Sequence, residues 1–261
     1  MSSTAASPKK KGGGSLVWVS CLSLLSFLLV WELICQMGMV SPIFMPPPSQ
    51  VLARASTMME QGTLIWNVLA SARRVMVGFL VAVMVAIPLG IWLGTSRIAR
   101  AIFDPVISFL RPLPSMSWIP LSLLWFGINE TQKYSIVFMG SFVPALLYVV
   151  EATRSIDPLL VRAARNLGAN RWQVMREVML PGCLPQIISG MKIILGLSWT
   201  CVISAELVAA KEGLGFMIMN GKEFFQTDTV VLGMVLISFT VLTTDLVVRA
   251  LERWLLKWQQ P

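Results

Sequence analysis

Apolar residues run almost without interruption through six stretches, at about Leu16–Met37, Val68–Gly94, Pro105–Phe126, Gln132–Val150, Ile187–Ala209 and Val230–Leu251. Each is close to the roughly 20 residues that carry a helix across a hydrocarbon core of about 30 Å. A segment in lipid must satisfy its own backbone hydrogen bonds. The pattern therefore predicts an all-α integral membrane protein with six transmembrane helices in one domain over residues 16–258. Residues 1–15, MSSTAASPKKKGGGS, are small, polar and basic, and are expected to form a flexible cytoplasmic tail. They are not read as a signal peptide, because the following apolar run is too long and has no small-residue cleavage site.

Two polar intervals carry helical patterns of their own. In SPIFMPPPSQVLARASTMMEQG, residues 41–62, the prolines stop any helix and Ser49 is placed to cap a short amphipathic one. Residues 157–181 form a more ordered cassette, containing RAARNLGANRWQVMREVMLPG. Asp157 followed by Pro158 is a helix start. Leu160, Ala164 and Leu167 then recur at helical spacing, and Gly168 can adopt the left-handed conformation that ends a helix. Asn170 can cap a second helix with Trp172, Met175 and Met179 in a stripe, and Pro181 is expected to stop it. Each helix is about 15 Å long, too short to cross a bilayer. Such a pair must rest on the lipid surface or in a groove of a partner protein.

Composition agrees: 56% of residues are hydrophobic and 13% charged, against about 25% charged in soluble domains. The net charge of +8 raises the question of nucleic acid. The basic residues gather at the ends of apolar runs instead, as membrane topology requires, and nucleic acid is excluded as a partner. With the N-terminus inside, thirteen basic residues lie on the cytoplasmic side: Lys9, Lys10, Lys11, Arg97, Arg100, those of the cassette loop at 154–176, and those of the C-terminus. Six lie opposite: Arg54, Arg73, Arg74, Lys133, Lys211 and Lys222. Both termini are therefore expected in the cytoplasm. Arg73 and Arg74, at the outer end of the second span, are expected to snorkel. The four cysteines have no paired spacing, and the chain has no histidine. This argues against a zinc site or a histidine-based triad.

The cassette also resembles a known signature. Ala163-Ala164, three residues, Gly168, and Leu180-Pro181 further on are similar to the EAA-x3-G-x9-I-x-L-P motif of ABC importer permeases. Arg162 stands where that motif has glutamate, and Val178 where it has isoleucine. FMPPPSQVL at 44–52, RPLPSMSWIPLSLLWFGINETQK at 111–133 and SAELVAAKEGLGFMI at 204–218 resemble the taurine/sulfonate/nitrate/bicarbonate branch of the family. The likeness covers about residues 40–258. It implies the type I importer permease fold, with Arg162, Ala163, Ala164, Gly168, Leu180 and Pro181 coupling the spans to an ATPase. It also implies two copies forming the pore, two cytoplasmic ATPase subunits holding ATP-Mg, an extracytoplasmic binding protein, and a bacterial inner membrane as the location. This chain would bind no cofactor or metal of its own and would not be an enzyme.

Several residues are candidates for the transport path. RPLPSMSWIPL places three prolines in one predicted span. Such a break is either a packing kink or the lining of a water-filled path. The second reading exposes Ser115, Ser117 and Trp118. Arg111 either pairs with Asp104 or Glu151, or attracts an anion from the path. Ser198, Trp199 and Thr200 bring polarity into the fifth span, although hydroxyls also bond back to the backbone. Glu206 would repel an anionic substrate, so a structural or gating role, capping the turn into KEGLGF, is favoured.

Two local motifs are discarded. Asn129-Glu130-Thr131 matches a glycosylation acceptor, a pattern that often arises by chance. Gly221-Lys222 is no phosphate loop, because Phe216 and Glu223 occupy the positions of the first glycine and the Ser/Thr. The leading reading is a permease for a small anion, taurine or an alkanesulfonate before nitrate, bicarbonate or a heterocyclic vitamin precursor. The alternative is a scaffold membrane protein that docks lipid or a partner through the cassette. An intramembrane enzyme ranks third, because no nucleophile–base pair or metal cluster is visible.

Overall fold

The computed structural model describes residues 13–255. The lysines of the N-terminal tail and the last residues of the predicted domain, 256–258, lie outside the described residues. Every regular element among the described residues is helical. They are α1 (Gly13–Gln36), α2 (Pro48–Glu60), α3 (Thr63–Thr95), α4 (Arg97–Leu110), α5 (Ile119–Phe126), α6 (Glu130–Arg154), α7 (Pro158–Asn166), α8 (Arg171–Gln173), α9 (Leu180–Ala209), α10 (Leu214–Glu223) and α11 (Thr227–Leu255).

Among the described residues, five helical segments are long and apolar enough to cross a membrane: those containing α1, α3, α6, α9 and α11. The predicted third span, Pro105–Phe126, is not one helix. α4 ends at Leu110, a 3-10 turn occupies Ser115–Trp118, and α5 restarts at Ile119 with Pro120 in its first turn. Pro112 and Pro114 offer no backbone N–H, so no regular helix runs through them.

The broken segment must nonetheless return across the bilayer, because α3 and α6 run parallel. Gly78 abuts Val137, Gly90 abuts Val149 and Gly94 abuts Thr153, a constant offset in one direction. A Cβ at any of the three glycines would lie 2.6 Å from its neighbour's Cβ, so the glycines let the two backbones close together. Two parallel spans joined by residues 96–129 require a crossing between them. α9 is antiparallel to α6: Gly190 meets Tyr148, and Cys201 meets Gly140. α3, α6 and α9 thus form the packed centre, with Val75, Ile136, Val149, Ile194 and Val202 buried between them. α1 and α11 are mostly exposed and lie at the periphery.

Two caps differ from expectation. α2 begins at Pro48, and Ser49 does not cap it. Instead Glu32 of α1 accepts the Ser49 N–H at 3.1 Å and its Oγ–H at 2.8 Å. Pro181 does not stop the second cassette helix. A π-helical turn, Val174–Met179, joins α8 to α9, giving one helical segment over Arg171–Ala209. The wider turn accommodates a residue that has no N–H and whose ring crowds the carbonyl four residues before it. The GLGF stretch forms the start of α10. Asn129 caps α6 by accepting the Gln132 N–H at 3.1 Å.

Candidate functional site

Three arrangements bear on function: a cavity at the broken span, a buried ion cluster at one end of the bundle, and the cassette at the other.

The cavity measures about 170 Å³ and lies between the broken segment, α6 and α9. Arg111, Ser115 and Trp118 contribute from the break, Gly140 and Pro144 from α6, and Thr200 from α9. Ser115 and Trp118 are three apart on a 3-10 turn and so project together. Leu197, Thr200 and Cys201 share one face of α9 by the same spacing logic. Cys201 donates to Ser115 Oγ at 3.2 Å. A second space of about 510 Å³ shares Arg111, Val143 and Pro144 with the first and extends to Tyr148, Glu151 and Gln186. Together they trace the flank of α6 from its middle toward the cassette. Arg111 stands at the junction. It forms no ion pair with Asp104 or Glu151, and no ion pair at all among the described residues.

The other predicted path residues lie elsewhere. Ser117 is exposed and lines neither space. Ser198 is fully buried, bonding Ser141 Oγ at 2.8 Å across the α6–α9 contact and donating to the Ile194 carbonyl. Trp199 is buried toward α11. Successive helical residues are about 100° apart, so Ser198 and Trp199 cannot share the face of Thr200. Gly140 and Pro144 were missed, although small and helix-disturbing residues inside a span are a signal for such a site.

Arg74 was expected to snorkel. It is instead 0% exposed and fully paired. Its Nε and Nη2 grip Glu130 in a bidentate pair, both at 2.8 Å. Nη1 donates to Glu206 Oε1 and to the Glu212 carbonyl, each at 2.7 Å, and Nη2 also reaches Glu212 Oε1 at 3.2 Å. All five guanidinium N–H donors are thereby used. Glu206, also buried, accepts from Ser71 Oγ and the Gly215 N–H, each at 2.8 Å. Ser71 in turn accepts the Leu214 N–H at 2.8 Å. Glu206 thus pins the first turn of α10 and couples it to α3 and α6. It contributes nothing to the lining of the cavity at the break. Arg73, with 57% of its side chain exposed, stays at the edge of the cluster in looser pairs with Glu130 at 3.5 Å and Glu212 at 3.9 Å.

In the cassette, Asp157 accepts the Leu159 N–H at 2.8 Å and caps α7. The helix closes in a Schellman motif: Ala169 N–H bonds the Ala164 carbonyl and Gly168 N–H the Arg165 carbonyl, both at 3.0 Å. Gly168 sits at φ +85°. Asn170 and Gln173 form a reciprocal capping box at the start of α8. Leu159, Leu160, Ala163 and Leu167 lie exposed on one face of α7, whereas Ala164 is half-buried. Arg162 lies on another face, beside the span ends. Leu180 and Pro181 begin α9.

The site is thus a broken span beside a cavity in a helical membrane bundle, with an apolar helix face presented outside the spans. The chain belongs to the family of binding-protein-dependent transport system inner membrane components, whose model matches residues 86–258. It is 39% identical over 247 residues to the taurine transport system permease protein TauC of Escherichia coli K12, covering 93% of this chain and 90% of that protein. It is 32% identical to SsuC of Bacillus subtilis 168, named for aliphatic sulfonate transport, over 96% of this chain and 91% of that one. It is 29% identical to the bicarbonate permease CmpB of Synechococcus elongatus, over 90% and 87%. The fold matches the inward-facing MetNI methionine ABC transporter with a TM-score of 0.61 at 22% identity, covering 74% of this chain and 97% of that one. The chain is thus a membrane-embedded permease subunit of an ABC transport system, and it functions within a complex.

Proposed function

We propose that two copies of this chain form the pore of a bacterial inner-membrane importer for a small organic sulfonate, taurine first. The observation that carries the reading is the cavity along α6, where the guanidinium of Arg111 has no ion-pair partner among the described residues. An unpaired cation at span depth is costly unless it meets water or an anion. The 39% identity to a taurine permease supports the substrate class. Nitrate and bicarbonate share the anionic oxygens that Arg111 would attract. Thr200, Ser115 and Trp118 line the route, and Glu206 holds α10 over its outer end as a structural clamp.

Two ATPase subunits hold ATP-Mg and dock on α7 around Ala163, with Gly168 setting the turn and Arg162, Ala164, Leu180 and Pro181 supporting it. An extracytoplasmic binding protein delivers substrate. ATP shifts the inward–outward equilibrium through its different affinity for the two states. The scaffold alternative is not favoured, since it gives the cavity and its cation no role.

Arg111→Gln is expected to lower taurine uptake about tenfold, the equivalent of roughly 1.4 kcal/mol of lost anion attraction, with ATPase recovery unchanged. The measurement is uptake in cells that lack their own sulfonate importers and express the whole transport system. Undiminished uptake would place the anion route elsewhere.

Both termini are assigned to the cytoplasm. In a cysteine-free background, cysteines at Ser15 and Gln259 should resist an impermeant thiol reagent in intact cells, while one at Gly62 should react. Labelling of both termini from outside would refute this orientation.

A further inference from the structure

A cavity of about 940 Å³ lies between α7, the π-helical turn and the ends of α3 and α6. Five arginines line it: Arg97, Arg154, Arg162, Arg165 and Arg171. No acidic residue lines it, and none of the five forms an ion pair among the described residues. Asp157, close by in sequence, is engaged in capping α7. Five guanidinium groups around one concave space repel one another, and an anion would relieve that repulsion. The first turn of α4, at Ser96 and Arg97, adds the positive end of a helix.

Beside the hydroxyls of Thr95, Ser96 and Thr153, much of the remaining wall is apolar. Trp92, Ile156, Val161, Val174, Met175 and Met179 form it. Trp92, Gly94 and Thr95 belong to the last turn of one span, and Thr153 and Arg154 to the last turn of another. The space therefore opens at headgroup depth, with a cationic rim and a greasy wall. The exposed face of α7, Leu159, Leu160, Ala163 and Leu167, takes no part in it. A protein docked on that face would leave the cavity vacant.

We propose that this cavity binds the headgroup of an anionic phospholipid of the cytoplasmic leaflet, its phosphate among the arginines and its upper chain methylenes against Trp92 and the methionines. Basic pockets between span ends on the cytoplasmic side suit such headgroups. The proposal rests on the cassette side facing the cytoplasm. Its readout is lipid retention rather than transport, so it can fail while the importer reading stands.

The test uses the permease–ATPase complex extracted from membranes containing phosphatidylglycerol and washed in phosphatidylcholine–detergent micelles. Native mass spectrometry counts the phosphatidylglycerol retained. The wild type should keep it, and the Arg97→Gln/Arg154→Gln double variant should retain it on the order of tenfold less. The charge-conserving Arg97→Lys/Arg154→Lys variant should keep most of it, which separates lost charge from misfolding. Excess inorganic phosphate should not displace it. Equal retention in the Gln variant would overturn the proposal. Displacement by inorganic phosphate would instead mark a free-anion site. Loss of the ATPase with lipid still bound would assign the arginines to subunit docking.

Discussion

Arg74→Met is expected to destabilise the permease by about 3–5 kcal/mol, because it leaves the Glu206 carboxylate buried without its cation. Glu206 would keep only Ser71 Oγ and the Gly215 N–H as donors. The same change frees Glu130 from its bidentate partner and removes the Arg74 contacts to Glu212 of the 210–213 turn, leaving Asn67 as its hydrogen-bonded tie to α3 through the Gly213 N–H. Removing both members of the buried pair is milder, since no isolated charge remains. Arg74→Met/Glu206→Gln should recover part of the loss. The measurement is thermal unfolding in detergent, followed by the aggregation of α10-loosened protein. An unchanged midpoint for Arg74→Met would mean that the cluster is hydrated and contributes little, as exposed ion pairs do.

The membrane architecture was legible because span length follows from hydrocarbon thickness, and the break at 112–120 followed from its prolines. The partners of Arg74 were not legible. Glu130 and Glu206 lie 56 and 132 residues away, and only the packing of three helices brings them together. Polarity in α9 announced a functional face without naming it. Ser198 and Thr200 are both hydroxyls, yet one packs against Ser141 and the other lines the cavity. The π-helical turn before Pro181 has no simple sequence signature. In the cassette every cap was readable, because Asp157, Gly168 and Asn170 act on backbone within three residues of themselves or, for Gly168, through its own φ.

The cassette carries the central claim, that this chain is driven by a partner ATPase. Gly168→Val places a β-branched residue at φ +85°, a strained conformation costing on the order of 1–3 kcal/mol. No side chain lies within 4 Å of an added Cβ there, so the damage comes from re-aiming α8 rather than from a clash. Ala163→Trp instead fills the middle of the exposed face between Leu160 and Leu167, and should overpack any close groove. Both variants should insert normally and keep the bundle intact. Both should lose the ATPase and, with it, uptake. A lipid-seated cassette predicts the opposite for Ala163→Trp, since a larger apolar side chain would bind the bilayer better. The deciding measurement is recovery of the ATPase with tagged permease in detergent, paired with ATP-driven taurine uptake by the same preparations in proteoliposomes. Wild type should bring down the ATPase and accumulate taurine, and the two variants should do neither. Full ATPase recovery and full uptake in both variants would contradict the coupling role of the cassette.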